Sequence, residues 1–381
     1  MHTRCLSLAF TIVLMALSVV AVLGAAPVFA AQVVVGQVGP MSGLESTQSR
    51  AYSAGMRLHF DALNKADGIN GHTFVVVHKD DRGSPEDTVA LTKKMIAEDR
   101  PLVLAGYFGS RNVADLVTSG LLEKNRIALV GYRISEIGPE TPYLYNVRAG
   151  LRDELHKLTE HLATIGITRL GLFHEDGPGS SALVGAAEEA ARKTKVSFTV
   201  RASYAANTAS VSDAVDRFIK QPPQAILMIS SGGATAGFIE KYRTAGGSAQ
   251  LLAHSSADIE QLSRRLADEH MRSVVVAQVT PSPYKISSRL TKEFNEAVSR
   301  AGAIDAPVSY AMMEGYIAAR VIAEAVRRQG SNLSRFGTVL ALDGINDFDI
   351  GGYFISFRSG QRSGSQFVEL TIVSAAGGVR R

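Results

Sequence analysis

Nine short apolar runs recur along this chain with helical segments between them: Val33–Val38, Phe74–Val77, Leu102–Ala105, Ile127–Val130, Leu170–Phe173, Val196–Val200, Ala225–Ile229, Leu251–Ala253 and Val274–Ala277. The runs are continuous rather than alternating, the pattern of parallel strands covered on both faces. The stretch from Val33 to Ile96 sets the rule for the rest. A strand leads into the loop Gly39-Pro40-Met41-Ser42-Gly43, then a helix, a second strand, Asp80-Asp81-Arg82-Gly83-Ser84-Pro85-Glu86, and another helix. In the first helix Tyr52, Met56, Phe60 and Leu63 form an apolar stripe, with Ser53, Arg57, Asp61 and Asn64 on another face. Ser84 followed by Pro85 reads as an N-cap and first helical residue. The fold class is therefore α/β with open parallel sheets, whose ligands lie beyond the carboxyl ends of the strands.

The runs fall into two sets separated by the polar segment Arg148–Asp153. Pro101 and Pro223 each lead into a strand, a Gly/Ser loop and a helix, which suggests two similar lobes. After Pro307 a long helix runs to about Gln329 and stops at Gly330. In the tail, Tyr353–Phe357 and Phe367–Val373 read as two strands around a Gly/Ser-rich loop.

Ahead of the first strand, Arg4, the apolar run Leu6–Leu23 and Val28-Phe29-Ala30 read as a cleavable secretion signal, cut after Ala30. The alternative is a membrane anchor, since roughly 18 apolar residues can span a bilayer. The small-residue cleavage pattern and the lack of a polar linker favour the signal. Cys5, the only cysteine, precedes the apolar core, so the mature chain carries no disulfide, thiolate metal site or cysteine nucleophile. Its core must come from apolar burial, and about 350 residues suffice for two domains. The formal net charge of +4 falls to +3 without Arg4, and the basic residues are scattered, which argues against nucleic acid as a partner.

Enzyme motifs are scarce: no G-x-S-x-G elbow, H-E-x-x-H or Walker A loop is present. Gly177-Pro178-Gly179-Ser180-Ser181-Ala182 fits G-x-G-x-x-A, but the strand about twenty residues later lacks the acidic residue that bonds a ribose, and Pro178 removes a backbone donor. An ordinary strand-to-helix turn is the better reading, and no cofactor is expected. Gly109-Ser110 opens a helix and suits an anionic group, although Ser110 also serves as a plain N-cap. Tyr132 offers a stacking face and Arg133 a carboxylate clamp; a half-buried Tyr and a solvated Arg fit the sequence equally well. The second set places Glu175, Asp176, Ser230, Ser231, His254, Ser255 and Ser256 at its strand ends. Asp80-Asp81 reads as a loop before a capped helix rather than a metal site.

These residues resemble a known family. Gly39–Gly43 is similar to the Gly-Pro-Leu-Ser/Thr-Gly loop of type I periplasmic binding proteins, in the branched-chain amino acid branch of ABC-importer receptors. Asn64–Gly71 resembles that branch's Asn-x-x-Gly-Gly-Ile-Asn-Gly segment, with Asp67 at the first Gly. Asp80-Asp81 with Pro85-Glu86 and the helix around Glu314–Ala319 match in order, so the likeness spans about Val33 to Val373. It implies two Rossmann-like lobes joined by three crossovers: residues 31–148 with about 281–347, and residues 149–280 with about 348–381. It also implies a monomeric, non-enzymatic receptor in the periplasm, closing on a small amino acid-like or carboxylate-bearing ligand and presenting it to a membrane permease. The resemblance implies ligand contacts at Gly109-Ser110 and from Arg133 to Ser135; with the loops at the strand ends, the candidate ligand-binding residues are Ser42, Tyr107, Gly109, Ser110, Tyr132, Arg133 and Ser135 in the first lobe and Asp176, Ser231 and Ser255 in the second. Departures from the pattern matter. Arg133 and Ile134 crowd a loop of small residues, Pro178 replaces an aromatic residue, and uncharged Ser255 stands where an acidic residue often holds the ligand ammonium. Arg133 and the uncharged Ser255 favour an organic acid without an obligatory amine. A ligand-sensing subunit for a membrane kinase or chemoreceptor, and a secreted α/β enzyme, are the alternatives.

Overall fold

The computed structural model describes residues 32–43, 46–134, 141–177, 179–205, 208, 210–357 and 363–373. The segment read as a secretion signal, Ser135 and Pro178 lie outside those residues. All nine apolar runs form strands. In the first sheet β1 (Gln32–Gly39), β2 (Thr73–Asp80), β3 (Val103–Phe108), β4 (Leu129–Arg133) and β5 (Leu144–Tyr145) run parallel in the order β2-β1-β3-β4-β5. Helices α1 (Ser46–Asn64), α2 (Pro85–Glu98), α3 (Ser110–Thr118) and α4 (Leu121–Asn125) connect them.

The second lobe repeats the plan. It contains α5 (Leu151–Thr164), β6 (Arg169–Asp176), α6 (Ser180–Thr194), β7 (Ser197–Ala205), α7 (Ser212–Lys220), β8 (Ala225–Ile229), α8 (Gly232–Thr244) and β9 (Gln250–Ala253). Then come α9 (Ile259–Arg265), α10 (Asp268–Met271) and β10 (Val274–Gln278). The chain returns to the first lobe for α11 (Arg289–Arg300), α12 (Tyr310–Gln329), α13 (Arg335–Asp343) and the hairpin β11 (Phe348–Asp349) and β12 (Phe354–Ile355). Finally β13 (Glu369–Ile372) joins the second sheet antiparallel to β10, giving the order β13-β10-β9-β8-β6-β7.

Tyr52, Met56 and Phe60 of the α1 stripe are buried as the sequence predicts, with Leu63 half-buried against the same core, and Ser84 caps α2 by accepting from the Asp87 N–H at 3.2 Å. Of the polar face of α1 only Ser53 is buried; Arg57 and Asn64 are half-buried and Asp61 is exposed, while α12 lies across the helix. At that crossing Gly55 faces the Met312 carbonyl and Gly315 faces the Tyr52 carbonyl, so closely that a Cβ on either would collide with backbone. Two expectations are corrected. Burial alternates along β7, since an edge strand is covered less evenly than a central one. The tail runs are not partners: Ile350, Tyr353, Ile355 and Phe357 belong to the first lobe's core, whereas β13 pairs in the second sheet. The third crossing therefore follows Phe357 rather than residue 347.

The three crossings are tied at one point. The Tyr353 hydroxyl donates, in a shared bond, to the carbonyls of Val147 (2.8 Å) and Val279 (2.9 Å), and the Gly364 N–H donates to Asn146 O at 2.7 Å. Tyr353 is fully buried, and burial is the first cause holding its hydroxyl protonated.

Candidate functional site

The carboxyl ends of the two sheets meet. Strand β4 ends at Arg133, and β9 is followed by His254 and a single 3-10 turn, Ser255–Ala257. Arg133 Nη2 donates to Ser255 O at 3.4 Å, and the Ser256 hydroxyl donates to Ile134 O at 3.4 Å. The backbone of β4 lies close over α1 here. Gly131, at φ +73°, leaves no room for a Cβ above the Tyr52 hydroxyl, which is buried without a hydrogen-bond partner among the described residues.

Behind that contact lies a buried ion chain. Arg133 Nε is 3.4 Å from Glu314 Oε1 and its Nη1 donates to Gln48 Oε1. Arg148 Nη1 is 3.5 Å from Glu314 Oε2, and its Nη2 lies 3.0 Å from Glu154 Oε1 while also donating to the Ser255 hydroxyl. Glu154 in turn accepts from the Ser255 N–H (2.6 Å) and hydroxyl (3.0 Å). The four charged side chains are 2–5% exposed. Burial works against the charge of Arg148, but Glu314 and Glu154 outweigh it and its pKa rises. His254, pushed down by burial, stays neutral and donates through Nε2 to Ser230 O at 3.2 Å. The positive charges of two arginines and the negative charges of two glutamates cancel, so this floor is neutral as a whole.

Around the floor is a more accessible rim. Gly109 is exposed and opens α3, whose N-cap makes no side-chain bond; its own N–H donates to Arg133 O at 3.0 Å. Ser110 begins that helix half-buried. Tyr132 is half-buried against the apolar cluster under β3 and β4. Asp176 and Ser231 are exposed at the ends of β6 and β8. The Ser231 hydroxyl caps α8 by accepting from the Ala234 N–H at 3.4 Å. Its N–H donates to the Tyr204 hydroxyl (3.1 Å), which donates to Glu175 at 2.7 Å, so Glu175 is already engaged.

Several sequence expectations change. Tyr107 leaves the site: its side chain is fully buried on the α2 side of the sheet and its hydroxyl shares a 2.9 Å bond with Thr92. Arg133 is not an open clamp, because its guanidinium is spent on Glu314, Gln48 and Ser255. Ser255 is uncharged as the sequence says, but Glu154 places a carboxylate directly on it. Ser42 is exposed, yet its hydroxyl donates to Asp80 at 2.7 Å. Sequence reasoning missed Arg148, Glu154, Glu314 and Gln48 as a group. One signal was there: Glu314 interrupts the apolar run Tyr310–Ala319, and a carboxylate so placed needs a buried partner. Among the described residues no group of three or more His, Cys, Asp and Glu could hold a metal ion.

Two parallel-sheet lobes, three crossings and a cleft at the strand ends define a class of bilobal solute receptor. The chain belongs to the periplasmic binding protein family, whose model matches residues 32–375, and its architecture is that of the type I branch. It is similar to a substrate-binding periplasmic protein from Ralstonia solanacearum, at 35% identity and TM-score 0.82 over 90% of this chain and 98% of that one. A branched-chain amino acid ABC transporter protein from Thermus thermophilus with bound valine shares the fold at 17% identity and TM-score 0.75, over 91% of this chain and 94% of that one. An amino acid binding protein of Pseudomonas aeruginosa is 31% identical over 97 residues, 26% of each protein, so the chain matches about a quarter of that relative's length.

Proposed function

We propose that this chain is the periplasmic receptor of an ABC importer, binding one amino acid-like solute between its lobes and delivering it to a membrane permease. The observation that carries the reading is the apposition of the two strand ends at Arg133–Ser255, with an accessible rim around a neutral floor. The names of the Thermus and Pseudomonas proteins support the solute class.

The rim sets the ligand's orientation. The N-terminus of α3 at Gly109-Ser110 favours a carboxylate by its dipole. Asp176 is the accessible carboxylate across the cleft and suits an ammonium. The case for an amine-free acid rested on a free Arg133 and an uncharged Ser255 environment, and neither premise holds. A thermal-shift panel on protein freed of bound solute tests the reading. Leucine or valine is expected to raise the melting temperature more than the corresponding 2-oxo acids. Stabilisation by the oxo acids alone overturns the amino acid assignment; no stabilisation by any small organic acid or amino acid overturns the receptor reading.

A further inference from the structure

We propose that Arg148 is a closure residue, which holds the lobes together by pinning one carboxylate from each and does so without a ligand. Its position makes this possible. Arg148 lies on the first crossing, between β5 and α5. Glu314 projects from α12 of the first lobe and Glu154 from the first turn of α5 in the second. The guanidinium reaches Glu314 at 3.5 Å and Glu154 at 3.0 Å. Ser255 completes the bridge: its hydroxyl accepts from Arg148 and donates to Glu154, while its carbonyl accepts from Arg133 of the first lobe.

Burying four charges is unfavourable unless each finds partners. Here Arg148 has three partners, and Glu154 is bonded by Arg148 and twice by Ser255. Part of that satisfaction exists only when the lobes are together: Glu154 and Ser255 share one lobe and keep their mutual bonds, but the Arg148–Glu314 contact and the Arg133–Ser255 bond run from one lobe's side to the other's. No ligand atom is needed to neutralise the floor. Removing one carboxylate leaves an unmatched guanidinium in a dry site, and separation of the lobes then lets water reach it. Closure held this way raises affinity for every solute by one common factor, through the fraction of receptor already closed. A ligand-contact residue instead changes the ranking among solutes.

The link to affinity rests on the receptor reading above, but closure itself is measurable with no ligand. Cys5 falls in the secretion signal, so cysteines introduced into the processed chain are its only thiols. Ala114→Cys on α3 and Ala182→Cys on α6, both exposed, place one spin label on each lobe. Pulsed electron paramagnetic resonance on protein unfolded, stripped of solute and refolded is expected to give a distribution dominated by one short distance. Glu154→Gln and Glu314→Gln, which preserve shape, are each expected to shift it to longer distances. Arg148→Lys, which keeps the charge but loses the fork, is expected to shift it partway. A parent protein already at the longer distance, or Gln variants that fold and leave the distribution unchanged, overturns the proposal. Unchanged distances with solute binding intact remove the closure role alone, whereas ligand-free closure with no solute binding removes the receptor reading alone.

Discussion

The floor and the rim of the cleft use polar groups in opposite ways. On the floor, Arg133, Arg148, Glu154 and Glu314 are almost without solvent and form one chain of ion contacts, although Arg133 Nε makes no hydrogen bond among the described residues. On the rim, Gly109, Asp176 and Ser231 stand in solvent. A pair such as Arg111–Asp115, 3.2 Å apart with the arginine largely exposed, contributes less than about 1 kcal/mol. The buried chain is different in kind. Its net contribution is modest, yet breaking it is severe, because the remaining charge has lost both water and partner. On the proposed reading, charge in this cleft serves shape at the bottom and recognition at the edge.

The largest expected effect comes from breaking the floor. Arg148→Met leaves Glu154 and Glu314 buried without their shared cation and is expected to cost about 3–5 kcal/mol in chemical denaturation. A loss below about 1 kcal/mol shows the floor to be wetter than the structure implies and erases the contrast with the rim.

Rim substitutions are expected to do the reverse. Asp176→Asn removes a charge that no core residue depends on, so stability stays within about 0.5 kcal/mol. Leucine affinity is expected to fall roughly tenfold, about 1.4 kcal/mol, with little change for the 2-oxo acid. Calorimetric titration with the two solutes reads this difference. Equal losses for both, or none, remove Asp176 as the ammonium partner.

The contrast also explains what was legible in the sequence. Strands and helices follow from short-range periodicity, so all nine apolar runs and the cap at Ser84 could be read. The rim lies on loops directly after predicted strands, and Gly109, Ser110, Asp176 and Ser231 follow from strand order alone. The floor is assembled from residues far apart in sequence: Gln48 meets Arg133, Arg148 meets Glu314, and Ser255 meets Glu154. No local pattern records those pairings. Tyr107 fails for a related reason. Successive residues of a strand point to opposite faces, and its position near a strand end does not say which face it takes.

A smaller effect is expected where the lobes touch beyond the floor. Glu260 on α9 accepts from the Tyr310 N–H at 2.9 Å and the Tyr284 hydroxyl at 2.8 Å. Burial first, then the charge and hydrogen bond of Asp258, push its pKa up to about 8. A carboxyl raised in the folded state favours folding while protonated, so that contribution is full at low pH and is lost as pH rises from its ordinary range to about 8. His59 acts at the other end: burial, then Arg320, lower its pKa to about 3, so stability is lost as pH falls from about 6.5 towards 3. Glu260→Gln is expected to flatten the alkaline side of a stability–pH profile and leave the acid side alone. A change confined to the acid side contradicts the assignment.

The smallest effect tests a residue that belongs to neither region cleanly. Ser42 is exposed like the rim, but its hydroxyl is committed to Asp80, which also accepts from the N–H groups of Met41 and Arg82, each at 2.9 Å. What burial Asp80 has raises its pKa, but the Ser42 hydroxyl and these N–H donors outweigh it, and the net shift is downward. A lowered carboxyl stabilises the fold above its unfolded pKa and loses that contribution as pH falls through the folded value. The group is largely solvated, so the effect is small. Asp80→Asn keeps an acceptor of similar shape but removes the charge that strengthens these bonds, and is expected to cost about 0.5–1.5 kcal/mol, all of it at pH above the carboxylate range. If the same change also weakens solute binding as much as Asp176→Asn does, the Met41–Gly43 loop belongs to the rim, and Asp80 positions it. If binding is untouched, Ser42 is a fastening of the first lobe rather than a contact.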